Sequence, residues 1–325
     1  MMRTRAIGLL AIGVALGIAA SASAQSFPSR PVRIVSPYSA GAGPTLFLRM
    51  LAEPLSKAWS QPVIVDARPG ASGFTAIDLA KRAAPDGHEL LIVSDAHLAI
   101  NPALFAQLPY DPERDLVPVA RIYRTPFFVV VRSDGPYADV PALVAAAKAR
   151  PGHVSYGSQY VGSPSHLGSA EIAYLTGTTM IHVPFSDQPQ LYIAIANGDV
   201  DWALSTIASA QALVGAGRLR FLAIAGPRRS PALPDVPTLA ETGGPAGLEV
   251  TSWLALMAPR GTPDEVVRRI HADVTRALDE PAVRDKLAAF GFEAAPGTPE
   301  EVVRARRAGA ARYGEIIRRI GARAD

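Results

Sequence analysis

The sequence lacks cysteine altogether, and its excess of charge is small. No cysteine occurs among the 325 residues, so disulfide bridges and thiolate metal sites are excluded. The 32 Lys and Arg residues nearly balance the 29 Asp and Glu residues, which leaves a formal net charge of +3. No run of Lys or Arg marks a nucleic-acid surface, so we expect no nucleic-acid partner. A chain of this length can build its core from apolar burial without covalent cross-links.

Long apolar runs are also missing, except at the start of the chain. Ala6 to Ala20 is an apolar run that follows Arg3 and Arg5 and precedes the small residues Ala22-Ser23-Ala24. This order of positive charge, short apolar stretch and small residues is typical of a secretory signal peptide. We therefore predict a signal peptide over 1–24, cleaved near Ala24, and an exported mature protein.

The motifs of common catalytic and metal sites are absent as well. No H-E-x-x-H pair occurs among the six histidines, and no G-x-S-x-G nucleophile elbow is present. We therefore expect no metal, no cofactor and no enzyme activity. An exported hydrolase remains an alternative, which would need Ser158, Ser163 or Ser165 as its nucleophile.

What the chain does contain is a regular alternation of strand and helix patterns. Short buried strands are predicted at Val32–Val35, Val63–Val65 and Leu90–Val93, with a helical pattern over 73–84 before the third. Similar units continue to about residue 225, and amphipathic helices finish the chain. This alternation predicts an α/β fold with a mostly parallel sheet.

Two glycine- and serine-rich loops each join a strand to a helix. The first, Ser36–Thr45, contains Gly41 and Gly43 and places Pro44 where a helix would begin. It matches neither G-x-G-x-x-G nor a P-loop, so it predicts either an anion-binding loop or only a tight turn. The second loop, Gly157–Ser165, follows another predicted strand. Because ligands of open α/β sheets lie beyond the carboxyl ends of strands, we expect the two loops to meet around one small ligand.

Short motifs along almost the whole mature chain resemble those of one family, the Bug proteins, which are periplasmic solute-binding receptors of tripartite tricarboxylate transporters. The motifs are Phe27–Ile34, Arg68–Ala71, Ala84–Gly87, Ile100–Pro102, Leu108–Pro112, Ser163–Leu167, His182–Phe185, Arg229–Thr238, Ser252-Trp253 and Ala258–Pro263.

The resemblance implies an α/β, two-domain periplasmic-binding-protein fold (a Venus flytrap) with a hinge. Domain 1 would comprise 25–126 and 227–325, and domain 2 would be the insertion 127–226. It also implies a periplasmic location, a small aliphatic or aromatic carboxylate as ligand, and the permease subunits of a tripartite tricarboxylate-type transporter as partners. We expect the receptor to be a monomer. A receptor that presents its ligand to a membrane sensor kinase is the alternative.

The resemblance further places the ligand between the two loops and the strand ends near them. The implied ligand-binding residues are Tyr38, Ser39, Ala40, Gly41, Ala42, Gly43, Thr45, Ser94, Ser158, Gln159, Tyr160, Gly162, Ser163, Ser165, His166, Pro184, Phe185 and Ser205.

The first loop departs from the family pattern at two positions. Relatives usually read Ala-Gly-Gly-x-x-Asp there, whereas this chain has Ala42 for the second glycine and Thr45 for the aspartate. Ser205 similarly replaces an aspartate that is common in the second lobe. If the missing acids face the ligand, the cleft here is less negative; if they only cap helices, the change is structural. The sequence predicts the ligand class and leaves the compound open.

Overall fold

The computed structural model describes residues 27–186 and 188–324, and these form two lobes, each built on its own β-sheet. The predicted signal peptide over 1–24 lies outside the described residues. The strands are β1 Val32–Ser36, β2 Val63–Ala67, β3 Glu89–Ser94, β4 Leu116–Pro126, β5 Phe128–Arg132, β6 Ser155–Ser158, β7 Ile181–Pro184, β8 Trp202–Ser205, β9 Leu219–Ile224, β10 Thr251–Pro259 and β11 Glu293–Gly297.

The first lobe contains a six-stranded sheet in the order β11-β4-β10-β3-β1-β2. Strand β1 pairs in parallel with β2 and β3, whereas β10 runs antiparallel to both β3 and β4, and β11 runs antiparallel to β4. The second lobe contains a five-stranded sheet in the order β7-β6-β8-β5-β9. There β6 pairs in parallel with β7 and β8, and β5 is antiparallel to β8 and β9.

Both sheets are therefore mixed, and the prediction of a mostly parallel sheet was wrong. The reason lies in the connections between the lobes. The chain leaves the first lobe along β4 and returns along β10 as its direct neighbour, so the two strands run in opposite directions. Parallel pairs occur where a helix carries the chain back across the sheet, as between β1 and β2.

The helices cover the faces of the two sheets. They are α1 Gly43–Trp59, α2 Phe74–Lys81, α3 Asn101–Leu104, α4 Val140–Ala149, α5 Pro164–Leu175, α6 Gln188–Asn197, α7 Ile207–Gly215, α8 Asp264–Asp279, α9 Pro281–Ala289 and α10 Pro299–Ile320. A single π-helical turn, Ala96–Ile100, leads into α3. Over residues 27–186 and 188–324, the structure shows no helix with the length and apolar content that crossing a membrane requires.

The two chain crossings between the lobes are hydrogen-bonded to each other. The amide of Phe127 donates to the Val250 carbonyl at 3.0 Å, and the amides of Ala225 and Val250 donate to the carbonyls of Phe127 and Ala225, each at 2.8 Å. The segment from 227 to 250 then packs against the second lobe, where Leu239, Leu248 and Val250 are buried in its core. The lobes are thus joined by short, adjacent backbone segments.

Helix α10 closes the first lobe and reaches the cleft between the lobes. It begins with a capping box, in which Thr298 and Glu301 satisfy each other's backbone amides. Its apolar side buries Val302, Ile316 and Ile317. On the same helix, the Tyr313 hydroxyl donates to Asp95 Oδ2 at 3.1 Å, at the carboxyl end of β3. The last helix of the chain therefore supports the strand ends that form the site.

Candidate functional site

A cavity of about 90 Å³ lies between the two lobes. A single water needs roughly 10–15 Å³ by the same measure, so the cavity has room for a small organic molecule. It is lined by Tyr38, Ala42, Gly43, Pro44, Ser94, Tyr123, Thr125, Phe127, Gln159, Tyr160, Pro164, Gln188, Thr206, Ala208, Ser209, Ser252, Trp253, Leu254 and Phe292. None of these side chains, all within the described part of the chain, carries a formal charge.

Neighbouring strands of the first lobe form one wall of the cavity. Leu254 on β10 lies in register with Ser94 on β3 and with Tyr123 on β4. The Tyr123 ring stacks on Phe292, with ring centroids 4.1 Å apart and an interplanar angle of 6°. The wall therefore runs from the polar Ser94 through the apolar Leu254 to the stacked rings of Tyr123 and Phe292.

The first loop is held by a buried hydroxyl pair. Thr45 is fully buried, and its Oγ1 lies 2.7 Å from Ser36 Oγ. The same hydroxyl donates to the Tyr38 carbonyl at 3.3 Å, while the Tyr38 amide donates to Ser36 Oγ, also at 3.3 Å. Thr45 thus fixes the path of the loop from beneath, and it does not line the cavity.

Three helices begin at the cavity. Gly43 and Pro44 of α1, Pro164 of α5, and Thr206, Ala208 and Ser209 at the start of α7 all line it. None of the three helices has an acidic residue in its first turn, and α1 also lacks a side-chain cap. Ser163 and Thr206 each accept from one amide of α5 and α7, but no carboxylate neutralises the positive ends of the three helix dipoles, which favours an anion.

The second loop is supported by a stack of rings. His166 and His182 stack with centroids 3.8 Å apart, and Tyr156 stacks on His182. Burial lowers the pKa of His166 to about 3 and that of His182 to about 4, so both rings are neutral at physiological pH. His182 Nε2 lies 2.7 Å from Ser158 Oγ, which donates to the Tyr160 carbonyl at 3.1 Å.

A buried carboxylate lies behind the cavity wall. Asp95 follows Ser94 and is 1% exposed, and its Oδ1 accepts a hydrogen bond of 2.5 Å from Ser252 Oγ. Burial raises the pKa of Asp95 to about 6, although the bonds from Ser252 and Tyr313 lower it. Burial also raises the pKa of Tyr38 and of Tyr160, and the charge of Asp95 raises both further. These two tyrosines come from opposite lobes, and Tyr160 also raises the pKa of Tyr38.

The cavity brings together six of the predicted ligand-binding residues, namely Tyr38, Ala42, Gly43, Ser94, Gln159 and Tyr160. Ser39, Ala40 and Gly41 are exposed on the outer side of the first loop, Thr45 is buried beneath it, and Pro184 is exposed. Ser158, Gly162, Ser163, Ser165 and His166 are buried in or below the second loop, where Ser163 caps α5. Phe185 packs on the core around α6, and Ser205 bonds Tyr192. Ligand contact by any of these residues stays a prediction.

Most of the remaining lining comes from strands and helix ends that the sequence did not indicate as ligand-binding. Examples are Thr125 on β4, Phe127 between β4 and β5, Ser252 on β10 and Phe292 before β11. Ser252-Trp253 is one of the motifs that carry the family resemblance, so the sequence offered a reason to expect these two residues at the site. Nothing in the sequence marks Phe292 as a lining residue. It reaches the cavity through its stacking on Tyr123, a contact between distant segments of the chain.

The sequence matches the family described as "Tripartite tricarboxylate transporter family receptor" over residues 47–322. Protein BugT of Bordetella pertussis is 31% identical over 325 residues, which cover 99% of each chain.

Two solved structures from Rhodopseudomonas palustris also resemble this fold. Rpa4515, described with adipate, is 31% identical with a TM-score of 0.85, over 91% of this chain and 98% of its own. MatC, described with bound malate, is 29% identical with a TM-score of 0.80, over 90% of this chain and all of its own.

Proposed function

The chain belongs to the tripartite tricarboxylate transporter receptor family, of which Bug proteins are members, and we propose that it captures a small organic carboxylate between its two lobes. Receptors of this family bind solutes and are periplasmic. For this chain, we further propose that residues 1–24 direct its export and are then removed. The mature protein would act as a monomer, deliver the solute to the permease subunits of a transporter and catalyse no reaction.

One observation carries the proposal: three helix N-termini open on a cavity without charged side chains. Backbone amides and hydroxyls can satisfy the oxygens of a carboxylate without a permanent positive charge. The ligands named for the two R. palustris proteins, adipate and malate, are both carboxylates. Their chemistry agrees with what the helix ends of this cavity favour.

The two-lobed arrangement supplies the mechanism. A ligand held by the loops of both lobes makes its full set of contacts only when the lobes are together, so it stabilises that state. We propose that the lobes rotate about the bonded crossings at Phe127, Ala225 and Val250. Because the segment 227–250 packs on the second lobe, we place the boundary of the returning domain near Val250 in place of the predicted 227.

Titration calorimetry on ligand-free protein would test this proposal. Aliphatic and aromatic carboxylates are compared with their uncharged amides, and we expect saturable binding of acids only. Trp253 lines the cavity, whereas Trp59 and Trp202 are buried in the cores, so binding should change the fluorescence of the wild type and not of Trp253→Phe. If folded, ligand-free protein bound none of the acids, the proposed function would be wrong.

A further inference from the structure

The two ends of the cavity present different chemistry to a ligand. At one end, a Cβ built on Gly43 would lie 3.3 Å from Phe292 Cζ and 3.5 Å from Ala208 Cβ, so the starts of α1 and α7 meet beside Phe292. At the other end lie Ser94 and Ser252, next to Asp95. Tyr123, which stacks on Phe292 at the first end, is separated from Ser94 by two strand spacings, or about 10 Å.

The end at which α1 and α7 begin is suited to the carboxylate, because the positive ends of two helix dipoles lie there. At the opposite end, the single hydroxyl proton of Ser252 is directed to Asp95 Oδ1 at 2.5 Å. Ser252 therefore has only lone pairs left to offer the cavity. A ligand group that meets Ser252 has to donate a hydrogen bond.

The charge of Asp95 adds to this preference. Its oxygens accept bonds from Ser252, from Tyr313 and from backbone amides, and no cation is among these partners in the described chain. The charge also reaches the cavity, because it acts on the hydroxyls of Tyr38 and Tyr160. A second anion placed here would meet a like charge in a buried setting, which weakens binding.

We propose that Asp95, acting through Ser252, makes this end of the cavity select a neutral hydrogen-bond donor and disfavour a second carboxylate. The preferred ligand then carries one carboxylate and, at its other end, a hydroxyl or an amide. Either group can donate a hydrogen bond to Ser252 without bringing a second negative charge. This inference rests on the proposed carboxylate-binding function and names the class of carboxylate.

Matched pairs of acids test the inference directly. Calorimetry at pH 7.5 compares 4-hydroxybutanoate with succinate, 6-hydroxyhexanoate with adipate, and 4-hydroxybenzoate with terephthalate. Within each pair that binds, the hydroxy acid should bind at least about tenfold more tightly. Equal or tighter binding of the dicarboxylates would overturn the inference and leave the proposed function standing. Failure of every acid to bind would overturn the proposed function itself.

Variants assign the preference to Asp95. Asp95→Asn should strengthen dicarboxylate binding and so reduce the gap, meaning the difference in affinity between the hydroxy acid and the dicarboxylate of each pair. Asp134→Asn removes an exposed carboxylate of the second lobe and should leave this difference unchanged. An unchanged gap in folded Asp95→Asn would contradict the role of Asp95. If that variant does not fold by circular dichroism, Ser252→Ala replaces it. Ser252→Ala should weaken the hydroxy acids without strengthening the dicarboxylates, and the opposite pattern would overturn the inference.

Discussion

Leu104 of the first lobe occupies the space that a side chain at Gly162 of the second lobe would need. A Cβ built on Gly162 would lie 2.1 Å from Leu104 Cδ2, closer than real Cβ atoms approach another atom. Gly162 also has a φ of +82°, which favours glycine in its own right. The second loop and α3 can therefore meet only because this position has no side chain.

Gly162→Ala should prevent this approach of the lobes and weaken ligand binding by at least about tenfold, or ~1.4 kcal/mol. Gly177→Ala is the matched control, because Gly177 has a φ of +62° but open space around its Cβ position. Both variants should lose roughly 1–2 kcal/mol of stability from backbone strain. Adding Leu104→Ala to Gly162→Ala should restore part of the affinity. Equal losses of affinity in Gly162→Ala and Gly177→Ala would show that strain alone is responsible.

The first loop allows a second comparison, between its two glycines. A Cβ on Gly43 would contact Phe292 and Ala208, whereas a Cβ on Gly41 would meet nothing within 4 Å. We expect Gly43→Val to narrow the cavity and weaken binding by at least about tenfold, and Gly41→Val to bind nearly as the wild type does. Calorimetry measures both. Strong loss of affinity in Gly41→Val would mean that the exposed side of the loop contacts the ligand.

Thr45 should affect stability more than ligand choice. Thr45→Val removes the bonds to Ser36 and to the Tyr38 carbonyl at constant shape, so the free energy of unfolding should fall by about 1–3 kcal/mol. Thr45→Ser keeps the hydroxyl and should lose less. Urea unfolding compares the three proteins. If Thr45→Val were fully stable but altered the ligand profile, Thr45 would have to contact the ligand.

Asp95 should give the stability of the fold a distinct dependence on pH. Its pKa is raised from 3.8 to about 6 by burial, so the folded protein binds this proton more tightly than the unfolded chain does. The contribution of Asp95 to the free energy of unfolding should therefore fall by ~3 kcal/mol as pH rises from about 4 to about 6, and then stay level. Asp95→Asn should lack this fall.

Urea unfolding of wild type and Asp95→Asn at pH 5 and pH 7.5 measures the difference. Burial raises the pKa of Tyr38, Tyr160 and Tyr313 above this range, so these groups do not contribute to the difference. Burial lowers the pKa of His97 to about 4, which makes stability rise with pH over the same range. His97 is present in both proteins, so its contribution cancels when wild type is compared with Asp95→Asn. Ser252 does not titrate. A stability difference between the two proteins that is the same at both pH values would contradict a raised pKa for Asp95.

Several parts of this protein were predictable from the sequence because they depend on local pattern. Periodicity places the strands Val32–Ser36 and Glu89–Ser94 to within a residue or two, and the loops that follow them lie beside the cavity. Local sequence does not show the directions of β4, β5 and β10, because these follow from how the chain passes between the lobes. The prediction of a mostly parallel sheet failed there.

The sequence by itself determined the family, the α/β class and two loops of the site. The tertiary structure decided which side of each loop faces the cavity. Thr45 turns inward to Ser36, Phe292 reaches the cavity by stacking on Tyr123, and Asp95 meets both Ser252 and Tyr313, the latter 218 positions away in the chain. These contacts depend on strand register and on packing between distant segments, which no local pattern of residues specifies.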